Sequence, residues 1–457
     1  MEANTLRQSQ QLIGQQKHLT REQKEAVGIL SIGTFLEFFD LMLFVHMAVL
    51  LNDLFFPKYD PHTTSLLTAF AFCSAFVFRP IGALIFGWIG DNVGRKVTVT
   101  ITTMMMAVSC ITIANLPTYA EIGINAAYMI TICRIVQGLS SIGEIVGAEL
   151  YLTEITKRPM QYPAVAFIEV VAVLGTTAAL GIATLAIAFG FNWRYAFWVG
   201  AIIAVVGAVA RTSLRETSEF ADAKRRLKNK LEKTNTNKEI LKDDPFYNVK
   251  INKKTALAYF LIDCCWPFFF YFTYIYCSTI FKDSFAYNAS EIIRQNVVVS
   301  VFQTLSWLVL AYLSYKIHPL KILKVRLFLF LPFIIFCPYL LNNINNPSHL
   351  FFVQLFVATF AITSTPAIPI FFSHFTIFKR FTSASLVYAF SRAFVYVINS
   401  FGLIYLVEYF GYWGISIIMV PLSIGYIWGL SYFYKLEQES GNYPQQASQN
   451  PALHSEY

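Results

Sequence analysis

Apolar residues run along this chain in stretches of roughly 18 or more, the length a helix needs to cross a bilayer. Short polar breaks punctuate them. The pattern predicts spans near 26–51, 64–89, 97–116, 123–152, 162–189 and 195–211, then near 254–280, 293–315, 322–341, 349–373, 384–407 and 412–434. Six spans are followed by a charged insert at 212–253 and six more, with polar tails at 1–25 and 435–457. The expected fold is therefore an all-α membrane protein of twelve transmembrane helices. Its units are a six-helix bundle at 26–211 and a second at 254–434.

Composition supports that picture. Of 457 residues, 56% are hydrophobic and only 14% charged, against about 25% charged in a soluble domain. The insert is basic and reads as a solvated tether, with 216–233 capable of forming an amphipathic surface helix. The last stretch, QESGNYPQQASQNPALHSEY, has the composition of a disordered tail. No apolar core precedes the first span, so that span is expected to act as the insertion signal.

Charge sets the orientation. Arg95, Lys96, Lys157, Arg158, Lys316, Lys321, Lys324, Arg326, Lys379, Arg380 and Lys435 fall on one side, together with the N-terminal tail and the insert. The other side holds Lys58, Arg194, Lys282 and Arg294. The positive-inside rule places both termini in the cytoplasm. Anionic lipid accounts for the excess basic charge, and nucleic acid is not needed. The seven cysteines form no Cys-x-x-Cys pair and the seven histidines no His-x-x-x-His spacing. Neither a metal nor an enzymatic constellation is expected, and no cofactor.

Within this apolar background a few charges stand out. In FLEFFDLMLF, Glu37 and Asp40 lie three apart, on one face of a helix. An ionised carboxylate at mid-membrane costs about 2.5–3.5 kcal/mol on insertion scales, so such acids usually face a cavity or a cation. A site that alternates between dry and hydrated surroundings can load and release a proton. Glu37 and Asp40 are therefore expected to bind a coupled proton, with Arg134 as counter-charge. A fixed ion pair that never titrates is the other reading. Gln137 and Glu144, seven apart, share a face of the Arg134 helix, and Glu144 lies about 80° around from Arg134. Arg79 and Arg392 are further mid-span cations and Asp263 a lone acid in span 7. Each arginine could grip a substrate carboxylate or neutralise a neighbouring acid. Pro267 should kink or break span 7. Trp266, Phe270 and Tyr274 follow at i, i+4 and i+8, an aromatic wall suited to a quaternary ammonium group or simply to packing.

The stretch RPIGALIFGWIGDNVGRK, 79–96, carries the sharpest motif. Gly87 and Gly90 permit close helix approach, Gly94 suits a positive-φ turn, and Asp91 can face a helix N-terminus or pair with Arg95. With twelve spans, this loop resembles the signature Gly-x-Leu-x-Asp-x-x-Gly-Arg-Arg/Lys of the major facilitator superfamily, with Ile89 in the Leu position. GTFLEFFDLMLF, RIVQGLSSIGEIVGAELYLTE and NWRYAFWVG…LRETSEF are similar to elements of its metabolite:proton symporter branch, which includes proline/glycine-betaine, dicarboxylate, citrate and shikimate carriers.

The resemblance implies two bundles about a midplane substrate site. It assigns proton transfer to the Arg134 element, and gating to Gly87, Asp91, Gly94, Arg95 and Lys96, with Glu154 completing a latch. It implies a proton-coupled importer of a zwitterion such as proline or glycine betaine, in a bacterial inner membrane. An organic-acid symporter or a carrier-derived sensor are the alternatives. Expected partners are a small solute, protons and lipid, with a monomer as the working unit. The second half departs from the family pattern: AYLSYKIHPLKIL, 311–323, has Tyr315, His318 and Pro319 where the repeated loop would have an acid, a glycine and an arginine. That loop keeps its positive charge and has lost its acid–arginine pair.

Overall fold

The computed structural model describes residues 16–47, 51, 54–56, 75–189, 192–212, 214, 225 and 252–443. The insert helix expected at 216–233 and the C-terminal tail beyond 443 lie outside these residues, as does most of the stretch expected to begin span 2. We number the helices by span: α1 Arg21–His46, α2 Arg79–Asn92, α3 Arg95–Asn115, α4 Ile124–Ile155, α5 Gln161–Phe189 and α6 Trp193–Arg211. In the second half α7 is Lys253–Phe285, α8 Ala289–Lys316, α9 Pro319–Asn342, α10 the interrupted segment 347–373, α11 the segment 380–410 and α12 Trp413–Glu439. Among the described residues, nine helices are long and apolar enough to cross a membrane.

Three of these elements are interrupted, each for a local reason. α7 turns at Cys264, after Lys253–Asp263, and resumes at Cys265. Pro267 lacks an N–H and its ring crowds the carbonyl four residues back, at Asp263. A π-turn at Phe272–Tyr276 follows before Cys277–Phe285. α11 contains a similar π-turn at Ile398–Gly402. The expected continuous span at 349–373 is corrected: helix Pro347–Phe360 stops, 361–367 is non-helical, and a short helix runs over Ile368–Ser373. Pro366 disfavours helix at the residue before it. The freed carbonyls at the break are met by Arg326 of α9, whose Nη2 donates to Ala361 O at 2.5 Å and Thr359 O at 3.4 Å, while its Nη1 donates to Thr363 Oγ1 at 3.0 Å.

Helices α1–α6 and α7–α12 form the two bundles, which meet where α2 packs on α11 and α5 on α8. Small residues set how closely helices approach. A Cβ on Gly138 of α4 would sit 2.2 Å from Ala75 O, and one on Gly82 of α2 would sit 2.4 Å from Leu139 O. Backbone therefore touches backbone where α2 crosses α4. Gly138→Val is expected to destabilise the first bundle by at least about 1–3 kcal/mol, the usual cost of overpacking, read as a lowered midpoint of thermal unfolding in detergent.

Candidate functional site

The sequence-predicted acids of α1 reach different partners across the first bundle. Glu37 Oε1 lies 3.2 Å from Arg79 Nη2 of α2, and Arg79 Nη1 donates to Tyr388 Oη of α11 at 3.3 Å. Asp40 Oδ2 lies 3.4 Å from Arg134 Nη1 of α4, whose same nitrogen donates to Gln137 Oε1 at 2.9 Å. The Arg134 guanidinium sits 4.1 Å from the centre of the Phe44 ring, and Cys110 Sγ donates to Asp40 Oδ1 at 3.7 Å. Among the described residues Arg134 thus pairs with Asp40, and the arginine paired with Glu37 is Arg79. All four charges are buried and line one narrow cavity with Gln137 and Ser141. Within it, Arg134 Nε and Nη2 have no hydrogen-bond partner among the described residues. The side chain of Glu144 lies outside the described residues.

A second cluster faces this one from the other bundle. Asp263 at the α7 break pairs with Arg392 Nη1 and accepts from Ser391 Oγ at 2.8 Å and Ser364 Oγ at 3.4 Å. The acid that is alone in its span is therefore well partnered in space. Arg392 lies over Tyr388 at 3.6 Å and near Trp266 at 5.3 Å. Trp266 stacks on Phe270 with centroids 5.0 Å apart, and Phe270 lies 5.2 Å from Tyr274. Tyr274 Oη donates to Gln303 Oε1 at 2.6 Å. These rings point inward and line a small cavity with Trp307 and Arg326, and Phe38 of α1 meets Trp266 edge-on. In this conformation Arg79 and Arg392 both sit on acids.

At the basic end an ionic and hydrogen-bonded network joins the two bundles. Asp91 accepts from Phe381 N at 3.1 Å and Thr382 N at 2.9 Å, the free donors of the first turn of α11. Its approach depends on small neighbours. A Cβ on Gly90 would lie 2.6 Å from the Phe381 ring, and one on Gly87 would lie 2.8 Å from Thr382 Cα. Gly94, at φ 156°, turns the chain into α3. Arg95 then bridges Asp91 Oδ1 at 3.3 Å and Glu154 Oε1 at 3.1 Å, and donates across the bundle interface to Ile377 O at 2.8 Å. Arg380 adds a contact to Glu154 at 3.5 Å. Lys96 is half-buried and forms no salt bridge among the described residues.

Sequence reading missed a second tie at the same end. Glu437, at the foot of α12, is fully enclosed. It accepts from Arg158 Nη1 at 3.0 Å and contacts His374 Nε2 at 2.9 Å. His318, from the degenerate loop, lies 4.0 Å away. The acid absent from that loop is thus supplied by α12. Burial pushes His318 from the ordinary 6.5 down to about 4, so it is neutral at neutral pH. Between those values the unfolded chain takes up a proton that the folded cluster refuses. This contribution is complete above pH 6.5 and declines as pH falls towards 4. Glu437→Gln is expected to cost about 1 kcal/mol in thermal unfolding, the net value of a typical hydrogen bond, because Arg158 is partly exposed and water replaces its partner.

Also missed were Glu149 of α4, Glu169 of α5 and Arg326. The two acids gave the same signal as Glu37 and Asp40, a lone carboxyl in an apolar run. Arg326 was grouped with the flanking charges of its loop, although it is buried seven residues into α9.

Two helical bundles with buried ion pairs facing their interface, tied together at one end by an ionic network, define the class of fold. The chain belongs to the major facilitator superfamily, whose model matches residues 30–402. It is 36% identical over 208 residues to the inner membrane metabolite transport protein YhjE of Escherichia coli K12, covering 43% of this chain and 47% of that one. It is 31% identical over 204 residues to the proline/betaine transporter of Salmonella typhimurium, covering 43% and 41%. A putative proline/betaine transporter of Staphylococcus haemolyticus is 33% identical over 202 residues, covering 42% and 43%. The chain thus spans less than half the length of the curated relatives it matches. The fold is similar to that of the proton:xylose symporter XylE of E. coli bound to 6-bromo-6-deoxy-D-glucose, with TM-score 0.71 and 15% identity over 90% of this chain and 95% of that one. It is also similar to the human organic anion transporter MFSD10, with TM-score 0.64 and 15% identity over 91% and 100%. These likenesses establish the fold.

Proposed function

We propose that this carrier is a proton-coupled symporter that imports a small zwitterionic compatible solute, such as proline or glycine betaine, by alternating access. The basic end faces the cytoplasm of a bacterial inner membrane. The observation that carries the reading is the Asp40–Arg134 pair, buried on a cavity, with two Arg134 nitrogens that have no hydrogen-bond partner among the described residues. An ionised Asp40 neutralises Arg134. A protonated Asp40 releases it, and the guanidinium can then grip a carboxylate through two parallel hydrogen bonds. Proton and solute thereby stabilise the same loaded state, which is the physical requirement for coupling.

Glu37 and Arg79 link this site to Tyr388 of the second bundle, and Glu144 shares the helix of Arg134. Trp266, Phe270 and Tyr274 offer the ammonium end of a zwitterion an aromatic surface. Arg392, held by Asp263, positions that wall. Gly87, Asp91, Gly94, Arg95, Lys96 and Glu154 hold the cytoplasmic end shut until the loaded form turns over. The names of the proline/betaine relatives support the solute class, and that of XylE supports proton coupling.

The test uses purified protein in sealed vesicles with an imposed pH difference. Labelled glycine betaine or proline should accumulate and be displaced by the other. Displacement by a dicarboxylate but not by betaine would move the reading to an organic-acid symporter. Saturable binding without flux would overturn transport altogether and leave a sensor.

A further inference from the structure

The second half of α8 and the start of α9 leave a groove of about 540 Å³ on the outer, apolar face of the second bundle. Its rims are Leu305 and Val309 of α8 and Val325 and Leu329 of α9, with Val309 and Val325 56% and 52% exposed. Leu310 and Ile322, both buried, form its floor. Its inner end lies at Thr359 and Phe360, where the first helix of α10 stops. At 1.5 Å per residue the lining runs about 12 Å along α9, from Lys321 to Leu329, and about 16 Å along α8, from Leu313 back to Phe302. The hydrocarbon of one leaflet is about 15 Å deep, half of the bilayer core. The groove therefore has the length of one leaflet, measured from the α8–α9 loop at the basic end.

Its chemistry divides at the mouth. Inside, the polar atoms are already engaged. Ser306 Oγ donates to Thr359 O at 3.3 Å, and both terminal nitrogens of Arg326 donate to the α10 break. Filling the groove with hydrocarbon thus costs none of these groups a partner. At the mouth Lys321, in the first turn of α9, is exposed and forms no salt bridge among the described residues. Lys316, exposed at the end of α8, lies across the short loop 317–318. Among the described residues no carboxylate lines the groove.

We propose that this groove binds one anionic phospholipid of the leaflet at the basic end, with an acyl chain along α8 and α9 and the phosphate at Lys321. Basic side chains at the membrane surface attract anionic lipid, and a basic pocket between helices gives a headgroup a fixed place. Like charge disfavours other occupants. A second copy in the same bilayer would bring its own basic end to the level of Lys321, and the insert at 212–253 is itself basic. Arg326 also lines the aromatic cavity of Trp266 and Tyr274, so the lipid site and that cavity share a wall. The assignment depends on neither the solute nor proton coupling.

Native mass spectrometry of the delipidated full-length protein counts retained lipid as phosphatidylglycerol or phosphatidylcholine of identical acyl chains is added. Wild type should hold one phosphatidylglycerol about fivefold more tightly than phosphatidylcholine, the factor one basic residue contributes near an anionic surface. Lys321→Ala should abolish that difference. Val325→Trp fills the groove without touching the charge and should weaken both lipids, and Val309→Trp serves if that variant does not accumulate. A phosphatidylglycerol with a photoreactive diazirine at mid-chain should label residues within 302–329. Equal retention of the two lipids by wild type, a Lys321→Ala protein that binds like wild type, or labelling confined to other helices would each overturn the proposal. So would a stable dimer formed through Val309 that excludes the lipid, which would give the groove to a second copy.

Discussion

Asp40→Asn should abolish concentration of solute against a gradient, lowering proton-driven accumulation about a hundredfold, the upper end of coupling free energies of about 1–3 kcal/mol. Exchange of labelled for unlabelled solute at equal pH should continue. The reasoning is electrostatic. Asn keeps the shape of the side chain and can still meet Cys110, but it neither binds nor releases a proton. Arg134 is then uncompensated in a buried site, held among the described residues by Gln137 at 2.9 Å and the face of Phe44. Removing one partner of a buried pair typically costs about 3–5 kcal/mol, and this variant should unfold at lower temperature. The double variant Asp40→Asn/Arg134→Gln removes both charges and should regain thermal stability without regaining coupling. If Asp40→Asn accumulates solute like wild type, the pair is a structural contact and the coupling site lies elsewhere.

The second large effect is expected at the latch. Arg95 is fully buried, and its removal leaves Asp91 and Glu154 as neighbouring enclosed carboxylates. Arg95→Ala should therefore disfavour the closed form by about 3–5 kcal/mol. It also deletes the bond to Ile377 O that crosses between bundles. The readout is access from the basic end. Ser383, buried in the first turns of α11, becomes a reporter as Ser383→Cys. Labelling by a membrane-impermeant thiol reagent should be slow in the closed wild-type background and fast with Arg95→Ala. Arg95→Lys should fall between, since an ammonium keeps the charge but not the planar fork that spans two acids. Equal labelling rates in all three would mean that the network does not hold the end shut.

The legible part of the site was the part encoded locally. Asp91 and Arg95 are four residues apart and their contact follows from the turn between them. Glu37 and Asp40 stood out because a carboxyl in an apolar run needs a reason, and both do line a cavity. That same signal was present at Glu149 and Glu169 and went unused. Which arginine each acid would meet was not legible. Glu37 reaches Arg79 over 42 residues and Asp40 reaches Arg134 over 94. Such pairings depend on helix rotation and crossing, which the order of residues along one helix does not express. Glu437 is the extreme case: it joins Arg158 over 279 residues of chain.

By itself, the sequence determined that this chain lives in a membrane, roughly where most of the described helices lie along it, and which end is basic. Those properties follow from the preference of each short segment for lipid or water, a local quantity. It also determined the break at Pro267, because a missing N–H acts where it occurs, whereas the break near Pro366 falls inside what the apolar pattern reads as one continuous span. Only the tertiary structure decided how the buried charges are shared out and that α12 supplies the acid missing from the loop at 311–323. Charges in a low-dielectric interior are governed by their nearest opposite or like charge in space, and which charge is nearest is settled when the bundles pack.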